Sequence, residues 1–408
     1  MKDYEKFIFS LKKEERSLRA IREFLSYLGN PQNNFKSVHI GGSNGKGSVT
    51  EMIYRILSER YLAGRYISPH ITEFNERIVV GGEEIEDCYI REFVEQNRNI
   101  VQDIKMHFFD FITAMAFKYF ADKSVEWASV EVGLGGMYDS TNVITPMLSV
   151  ITGVSYEHTD KLGTSMEEIT AEKAGIIKSS PVVIGPMNKI AREILKRKAK
   201  MYLAVDEHIT LEDYEIGERF VRVEVSGEVD GKFQISSGGK YQINNILTSL
   251  LAGKFLVDMG MVEWSDIREG ISKSNFPGRF EVFELDGRKI ILDCAHNPSA
   301  ARYLADTYLQ LYGRDGCAIV VQMRDKNSHD FLREISRAVK CIIIPNYDYW
   351  RAESQEKMIR FARKFCDEVI PADSVSSAIQ IAENYSINLI TGSTYLVGDV
   401  RRWLVKER

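Results

Sequence analysis

Short apolar runs alternate with segments of helical periodicity along most of this 408-residue chain. Residues 3–28 carry a helical pattern that stops at Gly29, Asn30 and Pro31, a helix-ending cluster. SVHIGG then reads as a strand feeding a glycine-rich loop, and the helical SVTEMIYRILSER follows from near Ser48. RYIS, WASVEVGLGG and MLSVITGV are further strands, with the helix FFDFITAMAFKYFAD among them. Such alternation predicts a parallel, doubly wound sheet. Between residues 206 and 243 strict alternation and glycine turns predict a small antiparallel patch, before QINNILTSLLAGKFLVDMG returns to helix. Beyond NFPGR, five apolar strands (KIILDCA, CAIVVQM, KCIIIP, DEVIP, INLIT) are each followed by a helical segment, beginning near residues 299, 329, 353, 374 and 393. The fold class is therefore α/β. A doubly wound domain with a small antiparallel patch is expected over residues 1–276 and a Rossmann-like α/β domain over 279–408, with Pro277 and Gly278 as the hinge.

Composition narrows the function classes. A net charge of −5, spread along the chain, offers no basic arm or stripe, so nucleic acid is not an expected partner. No apolar run approaches the length of a membrane span, and MKDYEKFIF lacks the apolar core of a signal peptide. The five cysteines form no C-x-x-C pair and read as small core residues of a reducing compartment. A soluble cytoplasmic protein is expected. The charged face of KKEERSLRAIREF reads as solvated helix.

Four stretches carry candidate chemistry. In VHIGGSNGKGSVT, consecutive amides from Asn44 to Ser48 can converge on phosphate oxygens where Gly45 and Gly47 permit close approach. The following helix adds its positive end, and Lys46 a mobile charge. The spacing departs from G-x-x-x-x-G-K-[ST], because Ile40 stands where glycine is wanted and Gly47 separates Lys46 from Ser48. In VEVGLGGMYDSTN, Glu131 ends a buried strand, where doubly wound sheets bind ligands, and could hold Mg2+. SYEHTDKLGTSMEEITAEKAGIIK contains Glu157, His158, Asp160 and Lys173. Taken singly, each is more often structural. In DCAHNPSAA, at the first strand-to-helix junction of the second domain, Asp293 can accept from a ribose hydroxyl and His296 can orient a phosphate or carboxylate. The plainer alternative there is a helix cap at Asn297 or Ser299. FPGR places the planar cation of Arg279 at the hinge.

Together and in order, LGNPQ, GSNGKGS, SPHITEFNERI, VEVGLGG-x-x-D-x-TN, H-x-x-x-LG, EKAGIIK, YQINN, PGR, D-x-AHNP and TGSTYLVGDVR resemble the folylpolyglutamate synthase and dihydrofolate synthase family of Mur-type ligases. The resemblance implies a phosphate-loop ATPase domain joined to a glutamate-ligase domain. It also implies an ATP-dependent amide ligation through an acyl phosphate. By the same resemblance, Asn44, Gly45, Lys46, Gly47 and Ser48 bind ATP phosphates, Asn245 contacts the nucleotide, Arg279 its phosphates and Asp293 the ribose. Ser68 and Glu131 would hold one Mg2+ and His158 a second, while Lys173 matches a lysine that is often carbamylated in relatives. Lys46, Lys173 and His296 are the implied catalytic set, with His296 and Ser393 near the incoming glutamate.

The sequence departs from the family at Ser43, Asn75, Asp110, Met137 with Tyr138, and Glu157, and in a compressed N-terminal segment. Asp110, Tyr138 and that segment fall where relatives bind the pterin. The expected substrates are a reduced folate or dihydropteroate and L-glutamate, and the expected assembly is a monomer. A related ligase for another carboxylate and a catalytically idle nucleotide-binding protein are the alternatives.

Overall fold

A computed structural model describes residues 2–11 and 17–406. The first sheet has eight strands: β1 (Lys36–Gly41), β2 (Ala63–Tyr66), β3 (Ile78–Val80), β4 (Glu83–Glu84), β5 (Trp127–Glu131), β6 (Leu148–Ile151), β7 (Val182–Ile184) and β8 (Tyr202–Ala204). Their order is β4-β3-β2-β5-β1-β6-β7-β8. All neighbours are parallel except β2–β3 and β3–β4. Every residue of β1 but Lys36 is buried, as expected of a parallel strand covered on both faces. Tyr66, Phe111, Phe117, Phe120 and Val130 fill one core against this sheet, and Ile151, Ile169, Ile176 and Ile184 another.

The alternating stretch forms β9 (Ile209–Ile216), β10 (Val221–Gly227) and β11 (Gly231–Ile235), neighbours in chain order. The links between them are too short for a parallel crossover, so the sheet is the antiparallel patch that alternation predicts. The third sheet holds β12 (Glu281–Leu285), β13 (Arg288–Asp293), β14 (Cys317–Val320), β15 (Cys341–Pro345), β16 (Glu368–Ala372) and β17 (Ile387–Thr391), in the order β12-β13-β17-β14-β15-β16. Only β12 is antiparallel. The five expected strands are present, followed by helices beginning at Pro298, Ser328, Gln355, Val375 and Thr394.

The chain divides into two compact units. The first runs to Leu211 and takes in Val225–Gly231 and Asn244–Ser274; the second holds Glu212–Glu224, Lys232–Ile243 and Asn275 onward.

Some expectations need correction. The pattern over residues 3–28 forms separate helices, Asp3–Ser10 and Arg19–Tyr27. Residues 12–16 of the charged stretch lie outside the described residues. Within the second helix Ile21, Phe24 and Leu25 are buried while Arg22 and Glu23 face solvent. Cys88 is exposed in the first turn of Asp87–Asp103, whereas the other four cysteines are buried. Edge strand β12 is an addition. Its turn to β13 runs through Asp286 (φ +49°) and Gly287 (φ +75°), the Asp-Gly hairpin chemistry that could have revealed it in the sequence.

Candidate active site

In the first unit β1 ends at Gly41 and the helix Lys46–Ser58 starts almost at once, so Gly42 to Gly45 must reverse the chain tightly. Gly42 and Gly45 do this at φ +141° and +86°, in the region that favours glycine. A Cβ on Gly42 would lie 2.1 Å from Thr152 Oγ1, and one on Gly45 2.2 Å from Asn245 Oδ1. The loop is thus pressed between the end of β6 and the helix Gln242–Asp258. Thr152 Oγ1 donates to Asn44 O (2.6 Å), and Ser43 N to Gly153 O (2.8 Å), fixing the loop from below. Lys46 curls back over it, donating from Nζ to Gly42 O (3.1 Å) and Ser43 O (3.0 Å). Ser48 is buried in the first turn of the helix. This is a backbone cradle at the positive end of a helix with a cation folded across it, which is what a phosphate group requires.

Glu131 ends β5 in register with Ile40 of β1. It is buried, and its Oε2 accepts from Ser68 N (2.9 Å), just beyond the end of β2. A Cβ on Gly47 would stand 3.5 Å from the same oxygen, so the carboxylate adjoins the first turn of the phosphate-loop helix. Among the described residues no group of three or more His, Cys, Asp or Glu forms a metal cage. Mg2+ bound with nucleotide needs only one or two protein oxygens beside the phosphates, and Glu131 next to the loop fits that donor set.

Lys173, at the end of the helix Met166–Lys173, is 1% exposed. Its Nζ pairs with Glu157 Oε1 (2.7 Å) and donates to Gly42 O (3.0 Å), joining the phosphate loop to the segment after β6. Burial pushes its pKa below the ordinary lysine range, with Glu157 pulling it back and Lys46 adding to the fall. Burial would raise the Glu157 carboxyl, but Lys173 and Lys46 hold it down at about 2. His158 follows at φ +46°, half-buried, close enough for its charge to act on Glu157. Asp160 is exposed.

In the second unit Asp293 ends β13 in register with Thr391 of β17, so the segments after both strands lie side by side. Asp293 is buried, and its oxygens accept from Tyr241 OH (2.6 Å), Phe280 N (2.9 Å) and Ala295 N (2.8 Å). Burial raises its pKa against those bonds and the nearby charge of Arg279. His296 is half-buried with Nδ1 2.9 Å from Cys294 O. Asn297 caps the helix Pro298–Tyr312, its Oδ1 accepting from Ala300 N, so the plain reading of that position holds alongside the candidates. Arg279 is half-buried and Ser393 is buried, its Oγ accepting from Tyr395 N (3.2 Å) at the start of Thr394–Lys406.

The profile of the Mur ligase middle domain matches residues 40–253, and that of the Mur ligase glutamate ligase domain residues 278–394. The dihydrofolate synthase/folylpolyglutamate synthase of Bacillus subtilis is 30% identical, over 95% of this chain and 94% of that protein. The folylpolyglutamate synthase of Lacticaseibacillus casei is 31% identical over the same shares. A solved Mycobacterium tuberculosis folylpolyglutamate synthase, complexed with ADP and AMPPCP, superposes with a TM-score of 0.86 at 28% identity and 95% coverage of each chain. The chain belongs to the folylpolyglutamate synthase/dihydrofolate synthase family.

The positions that the sequence reading set apart from the family pattern all lie in the first unit. Asp110 is buried on the helix Phe108–Asp122, accepting from Ser140 Oγ (2.6 Å) and facing His107 Nε2 (3.1 Å). Met137 and Tyr138 are exposed, and Asp139 beside them caps the turn Ser140–Val143. Asn75 donates to Ile85 O (2.6 Å) and Asp87 Oδ1 (3.1 Å), and Asp87 also accepts from Tyr4 OH (2.7 Å) on the N-terminal helix. Glu157 forms the ion pair to Lys173. Sequence reasoning passed over Thr152 and Tyr241. Thr152 sits at a strand's carboxyl end, the criterion that singled out Glu131; Tyr241 stands in the quoted YQINN motif but was given no role of its own.

Proposed function

We infer that this chain is an ATP-dependent ligase that joins L-glutamate to a folate carboxylate. One observation carries the reading. At the carboxyl ends of adjacent strands β1 and β5, a glycine-shaped phosphate cradle, Lys46, buried Glu131 and buried Lys173 come together, in a chain that matches both ligase domains in order. A phosphate loop alone serves many reactions. This set, in this family, serves amide synthesis.

A carboxylate does not accept an amine directly, so phosphoryl transfer from ATP must first make it an acyl phosphate. Asn44, Gly45, Gly47 and Ser48 would take the phosphates on their backbone, and Lys46 would exchange two loop carbonyls for phosphate oxygens. Asn245, against Gly45, would approach the nucleotide. Ser68 and Glu131, with His158 at a second position, would hold Mg2+, which neutralises charge on the transferring phosphoryl group. In the second unit Arg279 and Asp293 are assigned to the nucleotide, and His296 and Ser393 to the incoming glutamate, whose amine displaces phosphate. Asp110 and Tyr138 are assigned to the acceptor.

The lowered pKa of Lys173 favours the neutral amine that carbon dioxide attacks. Carbamylation forms an N–C bond between the neutral amine and carbon dioxide and releases one proton, so that an anion stands against Glu157 where the ammonium stood two protons earlier. Two anions side by side would then call for a divalent cation. We assign Lys173 to this modification on that ground.

The acceptor reading favours a reduced folate that already carries glutamate over dihydropteroate. Its anionic tail gives cations something to hold, whereas dihydropteroate depends on the altered region around Asp110, Met137 and Tyr138. Among the described residues no helix is long and apolar enough to cross a membrane, which is consistent with the cytoplasmic placement we favour. We also favour a monomer that does not bind nucleic acid.

The deciding assay follows ADP release with L-glutamate and a panel of pterin acceptors, with products identified by mass. A glutamylated folate is expected. ADP release that requires some other carboxylate, or no turnover with any acceptor, would overturn the reading.

A further inference from the structure

We propose that Glu76 is a positioning residue of the ligase, whose carboxylate fixes the loop that presents Ser68 to Glu131. The inference rests on the ligase reading for its consequence, but its geometry stands alone. The chain leaves β2 after Tyr66 and re-enters the sheet at Ile78 of β3. The intervening loop is tied at its mouth, where Ile67 N donates to Arg77 O (3.0 Å). Inside it, the Glu76 carboxylate accepts three backbone N–H groups: Ile71 N (2.7 Å), Thr72 N (2.9 Å) and Glu73 N (2.9 Å). A carboxylate taking several amides acts as a cross-brace, because each bond is charge-assisted and together they over-determine the turn. Arg77 Nε adds a bond to His70 Nδ1 (2.9 Å).

The brace is anchored to the nucleotide side. Arg65, on β2, donates from Nη2 to Glu76 O (3.3 Å) and forms an ion pair through Nη1 with Glu51. Glu51 is buried on the helix Lys46–Ser58 and is paired a second time with Arg55 (2.7 Å). Ion pairs therefore run from the helix Lys46–Ser58 through Glu51 to Arg65, and a hydrogen bond from Arg65 to the backbone carbonyl of Glu76 continues them to the loop that Glu76 folds. That loop begins at the residue whose amide bonds Glu131. Glu76 does not touch the cradle; it acts through Ser68 and Glu131.

Glu76→Gln keeps the side chain's length but sets an NH2 donor against backbone donors. In the full-length protein it is expected to lower kcat/KM for the folate acceptor roughly tenfold, and Glu76→Ala roughly a hundredfold. The Mg2+ concentration for half-maximal nucleotide binding, read by calorimetry, is expected to rise by about tenfold in Glu76→Ala. ADP binding without Mg2+ should be unchanged, and amide hydrogen exchange at Ile71, Thr72 and Glu73 should quicken in both variants. Unaltered exchange would overturn the brace. Faster exchange with normal kcat/KM and Mg2+ requirement would overturn its role in the reaction. Equal loss of Mg2+-free ADP binding would mark a general fold defect and likewise overturn the proposal. If Glu76→Ala does not fold, Glu76→Gln decides by the same readouts. Absence of ligation by the unmodified protein would defeat the ligase reading instead, while the exchange result would still decide whether Glu76 holds the loop.

Discussion

Beyond the end of β1 in the first unit, Lys46 donates among the described residues to two loop carbonyls, neutral acceptors of its own turn. At the end of β13 in the second unit, buried Asp293 spends its oxygens on Tyr241 OH, Phe280 N and Ala295 N, bonds that knit three separate stretches of chain. Asp293 ends a parallel strand and Lys46 follows the loop that leaves the end of one, the region that topology marks for ligands. Topology marks the place but does not say whether a polar group there is exchangeable or structural. Its present partners do.

That contrast can be broken by mutation. Lys46→Ala is expected to reduce ligation by ~10³ or more, as loss of a group that stabilises transferring charge does. Its melting temperature should stay close to that of the unmodified protein. Near-normal turnover in a folded variant would remove the phosphate-loop assignment.

Lys173→Ala should cost roughly a hundredfold in activity, the scale of a residue supporting a metal or phosphate site. Acetate or another short carboxylate at high concentration should restore part of it if the lysine is carbamylated. Full activity in the variant, together with an unmodified Lys173 in the unsubstituted protein by native mass measurement, would defeat that role.

Asp293→Ala sharpens the comparison in the opposite sense. Leaving buried donors without an acceptor costs about 1–3 kcal/mol each, so a loss of stability of about 3 kcal/mol is expected for the second unit. Urea unfolding is the measurement. A raised KM for ATP follows from its assignment to the nucleotide, whereas undiminished stability would show that the bonds Asp293 accepts are as exchangeable as those of Lys46.

Per pH unit, the smallest effect concerns the first unit's interior. His39 is fully buried on β1, its Nε2 2.8 Å from Thr141 Oγ1, and burial pulls its pKa down to about 3. Unfolded chain takes up a proton near pH 6.5 that the folded state refuses, so stability falls as pH drops from about 6.5 toward 3, by about 1.4 kcal/mol per unit. Urea midpoints between pH 7 and 4 should show this slope, and His39→Gln should flatten it. An equal slope in the variant would place the titration elsewhere.

Much of the fold was legible because its signals are local. Apolar runs bounded by glycine and proline located β1, β5, β6, β13, β14, β15 and β17, since a strand buried on both faces must be apolar throughout. Edge strand β16 was located by the short apolar run in DEVIP, although Glu368 and Pro371 are exposed. Edge strands β4 and β12 carry half-exposed residues and gave no such run. The cradle was legible for a similar reason, as glycine is demanded wherever φ is positive or another atom comes within reach of a Cβ.

Sequence by itself determined the α/β class, the two kinds of domain, the tight glycine loop after β1, and Glu131 and Asp293 as strand-end acids. Period, propensity and turn chemistry act over a few residues and are written in the residues themselves. Only the tertiary structure decided that Lys173 meets Glu157 and Gly42, that Asn245 closes on Gly45, that Tyr241 occupies Asp293, and that Glu76 gathers three amides. A buried polar group must find a partner wherever packing brings one. That partner is chosen by the meeting of distant segments, which no local pattern records.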